Sequence, residues 1–361
     1  MKTESAVRAR VRVHLLCAGV AALLCACGPG GPKRHTDEAD NGGGTGPSAG
    51  ISLVAGDANT PGKFDAKGGS ARFATPRGIA IDTNGNLYVA DQGNFAIRKI
   101  APDGTVSTFA GRLGASGTGN GKGGNARFSQ PTAITIDGGG NLFVTDGLAI
   151  RKITPDGTVT TVTTFPSGVF GTDNTQLPAG IAVDTDGNLF VTTGVDTRRF
   201  TIDNPGRSVQ LESGTVENVS GANDVVPRGV AVDAEGTAYV ADLNKTISRA
   251  GSDVNRLTLF VGTAGRTGKA DGSGAVPSFQ QVVALAVDNN GDLYAADAIN
   301  NTVRKITKDA VVTTPAGTAG STTLRLGKLP GSFATLRGIT TDGNGTLYAT
   351  SGNAVVKIIL P

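Results

Sequence analysis

The sequence of 361 residues is poor in the side chains that carry out most enzymatic chemistry. It contains 2 His, 3 Cys, 1 Met and no Trp, and every His and Cys lies before residue 36. The remaining 325 or so residues therefore hold no imidazole, no thiol nucleophile and no possible disulfide. Histidine-dependent proton transfer and cysteine catalysis are excluded from this part of the chain. No catalytic residue, metal ligand or cofactor is predicted.

The first 27 residues have the pattern of an export signal. A basic start is followed by an apolar run of 14 residues, 13–26, which is too short to span a bilayer but suits a signal peptide. The run ends Leu24-Cys25-Ala26-Cys27-Gly28, which resembles a bacterial lipobox. That resemblance implies lipidation of Cys27 and, because Gly28 follows, an outer-membrane lipoprotein of a Gram-negative cell, on its periplasmic or surface face. The alternative is an ordinary secretory signal.

The segment 28–50 is predicted to be a flexible tether because it is rich in Gly and Pro and has almost no apolar residues. Removal of residues 1–27 would also change the charge. Of 33 basic and 30 acidic residues, that segment holds four and one, so 29 of each remain. A net charge of zero, together with export, argues against nucleic acid as a partner. Membrane contact is expected through the lipid anchor alone.

What the chain does have is a ten-residue phrase in six copies. The first copy reads Asp-Thr-Asn-Gly-Asn-Leu-Tyr-Val-Ala-Asp, residues 82–91, and an Asp with a Gly three residues later recurs in all six. The copies begin at Asp82, Asp137, Asp184, Asp233, Asp288 and Asp342. A period near fifty residues with strand–turn–strand content predicts an array of blades in residues 51–361. Each unit offers two strands around the phrase and two more after it, so we predict antiparallel four-stranded blades.

Closure of the array can also be predicted. The sixth unit supplies only three strands before the chain ends at Pro361, whereas residues 51–55 match the fourth strand of the first unit. The N-terminal strand would then complete the last blade. We therefore predict an all-β, six-bladed β-propeller, a ring without an exposed edge strand.

The phrase and its flanks resemble the NHL repeat. The resemblance rests on Pro-x-Gly-Ile-Ala-x-Asp, Asn-Gly-Asn-Leu-Tyr-Val-Ala-Asp and Ile-Arg-Lys-Ile, and it covers residues 51–361. It implies a propeller, with functions that range from protein and RNA binding to lyase chemistry, so the fold says little about activity. The related lyases depend on histidine, and their chemistry cannot be carried over to this chain.

Two recurrent patterns are interpreted as structural. A second Asp in four copies is followed by an Arg on the next strand, which predicts an ion pair within the blade. The predicted pairs are Asp91 with Arg98, Asp146 with Arg151, Asp242 with Arg249, and Asp297 with Arg304. A Phe four to six residues before the new inner strand in four of the connections predicts a plug between blades. The plugs are Phe73, Phe128, Phe279 and Phe333.

The position before the Gly of each inner strand varies, and it is the candidate binding position. It holds Arg77, Arg228 and Arg337 in three copies, which could converge on an anion at the channel mouth. The alternative is that each Arg pairs with an acidic neighbour. We predict a non-catalytic, monomeric binding module for an unknown protein, peptide or glycan of the cell envelope. The alternatives are a gluconolactonase-like metal-dependent hydrolase and a purely structural scaffold.

Overall fold

Alternating apolar and polar residues between Gly-containing turns give this chain β-strands almost throughout. The computed structural model describes residues 48–165, 177–192, 197–203, 207–214, 227–250 and 257–361. Of residues 197–203, 207–214 and 227, only the backbone is described. The predicted signal peptide, its Cys27 and nearly all of the predicted tether lie outside these residues.

The described strands are short, mostly five to seven residues. In chain order they are β1 (Gly50–Gly56), β2 (Pro76–Ile81), β3 (Leu87–Asp91), β4 (Ala96–Ile100), β5 (Val106–Gly111), β6 (Gly121–Lys122), β7 (Pro131–Ile136), β8 (Leu142–Asp146), β9 (Ala149–Ile153), β10 (Thr158–Thr164), β11 (Gly180–Val183), β12 (Asn188–Thr192), β13 (Thr197–Asp203), β14 (Arg207–Gly214), β15 (Pro227–Val232), β16 (Ala238–Asp242), β17 (Thr246–Ala250), β18 (Leu257–Gly262), β19 (Gly272–Ser273), β20 (Val282–Val287), β21 (Leu293–Asp297), β22 (Thr302–Ile306), β23 (Val311–Ala316), β24 (Leu336–Thr341), β25 (Thr346–Ser351) and β26 (Ala354–Ile359). Single 3-10 turns occupy Gly68–Ser70, Gln92–Asn94 and Gly123–Asn125.

These strands form small antiparallel sheets, as a propeller requires. The sheets of four are β2-β3-β4-β5, β11-β12-β13-β14, β15-β16-β17-β18 and β1-β26-β25-β24. Two sheets have five strands, β6-β10-β9-β8-β7 and β19-β23-β22-β21-β20. The prediction of four strands is wrong for these two. In each, a two-residue strand of the Gly-rich connection pairs with the outermost strand, which offers an unpaired edge.

The first strand of each repeat lies innermost, next to the first strand of the neighbouring sheet. β2 contacts β7, β7 contacts β11, β11 contacts β15, β15 contacts β20, β20 contacts β24, and β24 contacts β2. The apolar core lies between adjacent sheets. One such cluster joins Ala80 and Tyr88 of the first repeat to Phe128 and Leu142 of the second. The all-β propeller class predicted from the sequence is confirmed.

The repeated Asp and Gly make the turn between the two inner strands of each unit. In the first copy, the carboxylate Oδ1 of Asp82 accepts the backbone N–H groups of Asn84 and Asn86 at 2.9 and 2.8 Å. Gly85 has a φ of 79°, the left-handed region that a side chain disfavours. The turn predicted by the strand–turn–strand content of the phrase is confirmed. The carboxylate of its first Asp is taken up by the hydrogen bonds of this turn.

The N-terminal strand β1 pairs with the last strand β26. Ile51 lies opposite Ile358, and Gly56 lies opposite Ala354. The predicted strand, 51–55, is one residue shorter at each end than β1. Ile51 is 2% exposed and packs in the apolar cluster of the last sheet. Residues from the two ends of the described chain thus share one sheet. Among the described residues, no helix is long and apolar enough to cross a membrane.

Candidate functional site

The innermost strands bring Arg77, Arg228 and Arg337 to one cavity. All three line a cavity of about 340 Å³ at the start of the inner strands, although they are far apart in sequence. Each is the second residue of its strand, in β2, β15 and β24. The three positions are equivalent in the repeat and neighbouring innermost strands contact each other, so the repeat brings the three arginines to one cavity. The structure places the three predicted residues on one cavity, and their role in binding stays a prediction.

The three guanidinium groups differ in their hydrogen bonds. Arg77 donates from Nε to the side-chain oxygen of Gln92 at 2.6 Å, and Gln92 in turn donates to the hydroxyl of Thr132 at 3.2 Å. Arg337 donates to the carbonyl of Gly352 at 3.3 Å. The buried Nε of Arg228 has no partner among the described residues. Within the part of the chain that the structure describes, much of the donor capacity of these groups is therefore not used by other residues.

No carboxylate balances this positive charge among the residues that the structure describes. The ion pairs found there involve other arginines and lysines. Burial lowers the pKa of all three arginines from the ordinary value. For Arg77, the charges of Arg337 and Arg228 lower the pKa further. Arg groups remain charged at neutral pH despite such shifts, so the cavity carries mutually repelling cations that an anion would relieve.

The remaining wall of the cavity is neutral. Thr132, Ala179 and Val283 occupy the positions equivalent to the arginines in the other inner strands, and Gln281 lies beside them. A side cavity of about 240 Å³ adjoins Arg77 and Arg228 and adds Gln92 and Gln130. Amide and hydroxyl groups therefore stand next to the cationic positions, where they can fix the orientation of a polar ligand.

The glycine that follows each of these arginines lets neighbouring inner strands approach closely. A Cβ on Gly338 would collide with the carbonyl oxygen of Arg77, and a Cβ on Gly78 would lie 2.8 Å from the carbonyl oxygen of Thr132. In each of these strands the sequence Arg-Gly therefore has two roles. The glycine allows the close spacing of the strands, and the arginine lines the cavity. This local pattern is the sequence signal for the site.

The repeated Asp–Arg pairs have the structural role predicted for them in three sheets. Arg98 donates to buried Asp91 at 2.8 Å, and Arg151 donates to Asp146 at 3.0 Å. Arg304 lies 3.5 Å from Asp297. Each of these arginines also covers the ring of a buried plug, namely Phe73, Phe128 and Phe279 at 5.1, 5.3 and 4.9 Å. Phe333, the fourth plug, is likewise fully buried.

The fourth predicted pair, Asp242 with Arg249, is wrong. Asp242 accepts the hydroxyl of Thr246 at 2.7 Å instead. In the register of β16 and β17, Val240 lies opposite Ser248, so Ser248 takes the place of the buried arginine. Arg249 is one residue further along the strand. Successive strand residues face opposite sides, and Arg249 is therefore exposed, over the ring of Phe260 at 5.0 Å.

Two contributions were not predicted from the sequence. The first is Gln92, in the first repeat, which accepts a hydrogen bond from Arg77 and orients it. The second is a pair of acids in the connections: Asp65 binds the buried Arg98, and Asp271 binds the buried Arg304. A signal for Gln92 existed, because Asp-Gln-Gly-Asn after the first phrase differs from the other copies. The described residues contain no group of three or more His, Cys, Asp or Glu that could hold a metal ion.

Comparison with known proteins agrees with this architecture. Residues 73–100 match the family model of the NHL repeat. A comparison with curated protein sequences gave no significant match. Among solved structures, a protein of unknown function from Bacteroides thetaiotaomicron is similar, with a TM-score of 0.70 and 18% identity, over 87% of this chain and 76% of that one.

Two further solved structures show the range of functions on this fold. An auxiliary nutrient binding protein from Bacteroides thetaiotaomicron has a TM-score of 0.66 and 16% identity, over 86% of this chain and 76% of that one. A gluconolactonase from Xanthomonas campestris has a TM-score of 0.54 and 14% identity, over 86% and 89%. At these identities the likeness establishes the fold alone.

Proposed function

We propose that this chain, a β-propeller whose residues 73–100 match the NHL repeat, is a non-catalytic binding protein for an anionic ligand. The ligand is held by Arg77, Arg228 and Arg337, through carboxylate, phosphate or sulfate oxygens. The ligand is a peptide, glycan or small molecule of the cell envelope. Arg suits this role because its planar guanidinium donates to two oxygens of one anionic group.

The observation that carries the proposal is the unbalanced charge of the cavity. Three half-buried arginines line a space of about 340 Å³, and none pairs with a carboxylate among the described residues. Elsewhere in the fold, each described buried arginine has an acidic partner, as Arg98 has Asp91. Like charges that share a cavity lower stability, so a scaffold role alone gives no reason for this arrangement.

The similar nutrient binding protein from Bacteroides supports a binding role as an analogy at the level of the fold. The gluconolactonase-like alternative requires two or more carboxylates around an ion in the channel. The described residues that line the arginine cavity, its side cavity and a further cavity along the innermost strands include no carboxylate. The geometry therefore favours anion binding over metal-dependent hydrolysis.

The proposal is tested by titration calorimetry with glucuronate, an acetylated Asp-Glu dipeptide and inorganic phosphate. Replacing Arg77, Arg228 and Arg337 together with Gln is expected to weaken the best of these probes by at least about tenfold, since each charge-assisted hydrogen bond contributes roughly 1.5–3 kcal/mol. The affinity of the unaltered protein should also fall as salt is raised.

The matched control removes the same charge elsewhere. Arg112, Arg266 and Arg325 are exposed and lie outside the cavity, so their replacement with Gln should leave the affinities nearly unchanged. The proposal would be contradicted if the variant without Arg77, Arg228 and Arg337 bound the probes as tightly as the unaltered protein. It would also be contradicted if both triple variants lost the same affinity.

We further propose that the sheets are six blades of one ring that β1 closes. Support comes from the cyclic contacts of the innermost strands and from the antiparallel pairing of β1 with β26. The close approach of Gly338 to the carbonyl of Arg77 also joins the last repeat to the first. Loss of cooperative unfolding on removal of β1 is the expected consequence.

The lipoprotein assignment is a proposal that rests on the sequence around Cys27. Cys27→Ser is expected to move the protein from the detergent-soluble membrane fraction to the aqueous fraction, because no acyl chain can then be attached. The measurement is Triton X-114 partition of the full-length protein expressed in a Gram-negative host, with Cys17→Ser as the control. If both variants partition with the unaltered protein, the assignment is wrong.

A further inference from the structure

Beyond the three arginines, the same cavity is lined by one aliphatic residue from each innermost strand. The aliphatic belt, as we call it, consists of one residue from each innermost strand, two positions after the arginine level. Its members are Ile79, Ile134, Ile181, Val230, Leu285 and Ile339. Each is only 4–7% exposed. The belt is thus the floor of the cavity whose rim is cationic.

The belt also forms the roof of a second channel cavity. This cavity, of about 240 Å³, is lined by the belt and by the two following residues of each innermost strand. The residues at its far level are Ile81, Ile136, Val183, Val232, Val287 and Thr341. The side chains of this second cavity are aliphatic apart from a few threonines, but the surface that it exposes is more polar than apolar, so the apolar part of the site is limited to the first cavity. Two residues of a strand span roughly 7 Å, which is the separation of the arginine level from the belt.

A purely hydrophilic anion would interact favourably with the arginines of this site but not with the aliphatic belt. Its charge could meet Arg77, Arg228 and Arg337, but its polar groups would face the belt, where the described side chains offer no hydrogen bond. Burial of polar groups against aliphatic side chains without a partner is unfavourable. An apolar group placed there would instead remove aliphatic surface on both sides from water.

From the juxtaposition of the cationic rim and the aliphatic belt, we propose that the ligand is an amphiphilic anion. Its anionic group binds Arg77, Arg228 and Arg337, and a short apolar moiety, alkyl or aryl, enters the channel against the belt. This inference rests on the proposed anion-binding function and specifies the class of ligand. The cavity of about 340 Å³ is at the small end of ligand sites, which suits a compact molecule with one such moiety.

The test is a series of straight-chain carboxylates on the unaltered protein. Acetate, butyrate and hexanoate carry the same anionic group, so their affinities differ by the apolar part alone. Affinity is expected to rise about fourfold for each methylene that becomes buried. Hexanoate binding should be accompanied by a negative heat-capacity change that acetate binding lacks.

A belt variant provides the second measurement. Val230→Thr is nearly isosteric and keeps a β-branched side chain, and it places a hydroxyl in the floor of the cavity. It is expected to reduce hexanoate affinity by more than it reduces acetate affinity. The same series on the protein with Arg77, Arg228 and Arg337 replaced should show weak binding at every chain length.

The outcomes separate this inference from the function on which it rests. Equal affinity for all three carboxylates, with loss of binding in the triple arginine variant, would overturn the amphiphilic ligand and leave the anion site standing. Failure of every carboxylate, glucuronate, dipeptide and phosphate to bind would remove both. A rise with chain length that persists in the triple arginine variant would also contradict the proposal, because the apolar part would then bind without the rim.

Discussion

Replacement of Arg98 with Met is expected to lower the free energy of unfolding by about 3–5 kcal/mol, the usual cost of removing one partner of a buried pair. Arg98 is fully buried and donates to Asp91 at 2.8 Å and to the backbone carbonyl of Arg72 at 3.0 Å. It also binds Asp65 and lies over the ring of Phe73. Met would fill part of the volume but leave the carboxylate of Asp91 buried without its cation.

The loss of unfolding free energy should depend on pH. The titration of the Asp91 carboxylate determines whether the loss is larger at low or at high pH. Burial already raises the pKa of Asp91 to about 6, against the hydrogen bonds of Asn94, Ala74 and Arg98, which lower it. Without Arg98, this pKa rises further. A carboxyl group with a raised pKa in the folded state contributes stability below its unfolded pKa and loses that contribution as pH rises through the folded pKa. The variant should therefore be less destabilised at pH 5 than at pH 8.

The measurement is urea-induced unfolding of both proteins at the two pH values. Arg249→Met is the matched control, because Arg249 is exposed on the equivalent strand of another sheet and should cost less than about 1 kcal/mol. Asp91→Asn combined with Arg98→Met should restore part of the loss, since no charge then remains buried. Equal, small effects of Arg98→Met and Arg249→Met would show that the buried pair contributes little.

Removal of β1 is the second change with a large expected effect. A chain that begins at residue 57 loses the antiparallel partner of β26 and the packing of Ile51 and Ala55, which are 2% and 0% exposed. The edge of β26, including buried Val356 and Ile358, would then face solvent. Domain stabilities of roughly 5–15 kcal/mol are comparable with the interactions lost. The shortened protein is expected to unfold without a sharp transition and to aggregate through its open edge.

A chain that begins at residue 48 is the control. It lacks the predicted signal peptide and nearly all of the tether but keeps β1, so it should unfold in a single sharp transition in thermal denaturation monitored by circular dichroism. A synthetic peptide of residues 48–56 added to the shorter chain should restore part of the transition. Two chains with the same melting temperature would contradict the role of β1 in closing the ring.

Local chemistry accounts for most of what could be predicted. The spacing of Asp82 and Gly85 predicts the turn, because a carboxylate and a left-handed glycine act within five residues. The alternation in Leu-Tyr-Val-Ala-Asp predicts a strand. An acidic and a basic residue on adjacent strands of one hairpin predict the ion pair of Asp91 with Arg98. The failure at Arg249 has the same origin. A shift of one residue in the register reverses the side of the sheet, and composition alone does not reveal the register.

The sequence by itself determined the repeat, the turns and the strands that build the propeller, because these depend on residues that are neighbours along the chain. The repeat indicated that the three arginines occupy equivalent positions, whereas the tertiary structure decided which side chains meet across repeats. Arg77 and Arg337 are separated by some 260 residues, yet they share a cavity because the innermost strands are arranged around one channel. The acids that reach Arg98 and Arg304 and the aliphatic belt likewise depend on how connections and sheets pack. The hydrogen bond that Arg77 donates to Gln92 lies within the first repeat, but it depends on how the turn after β3 folds against β2.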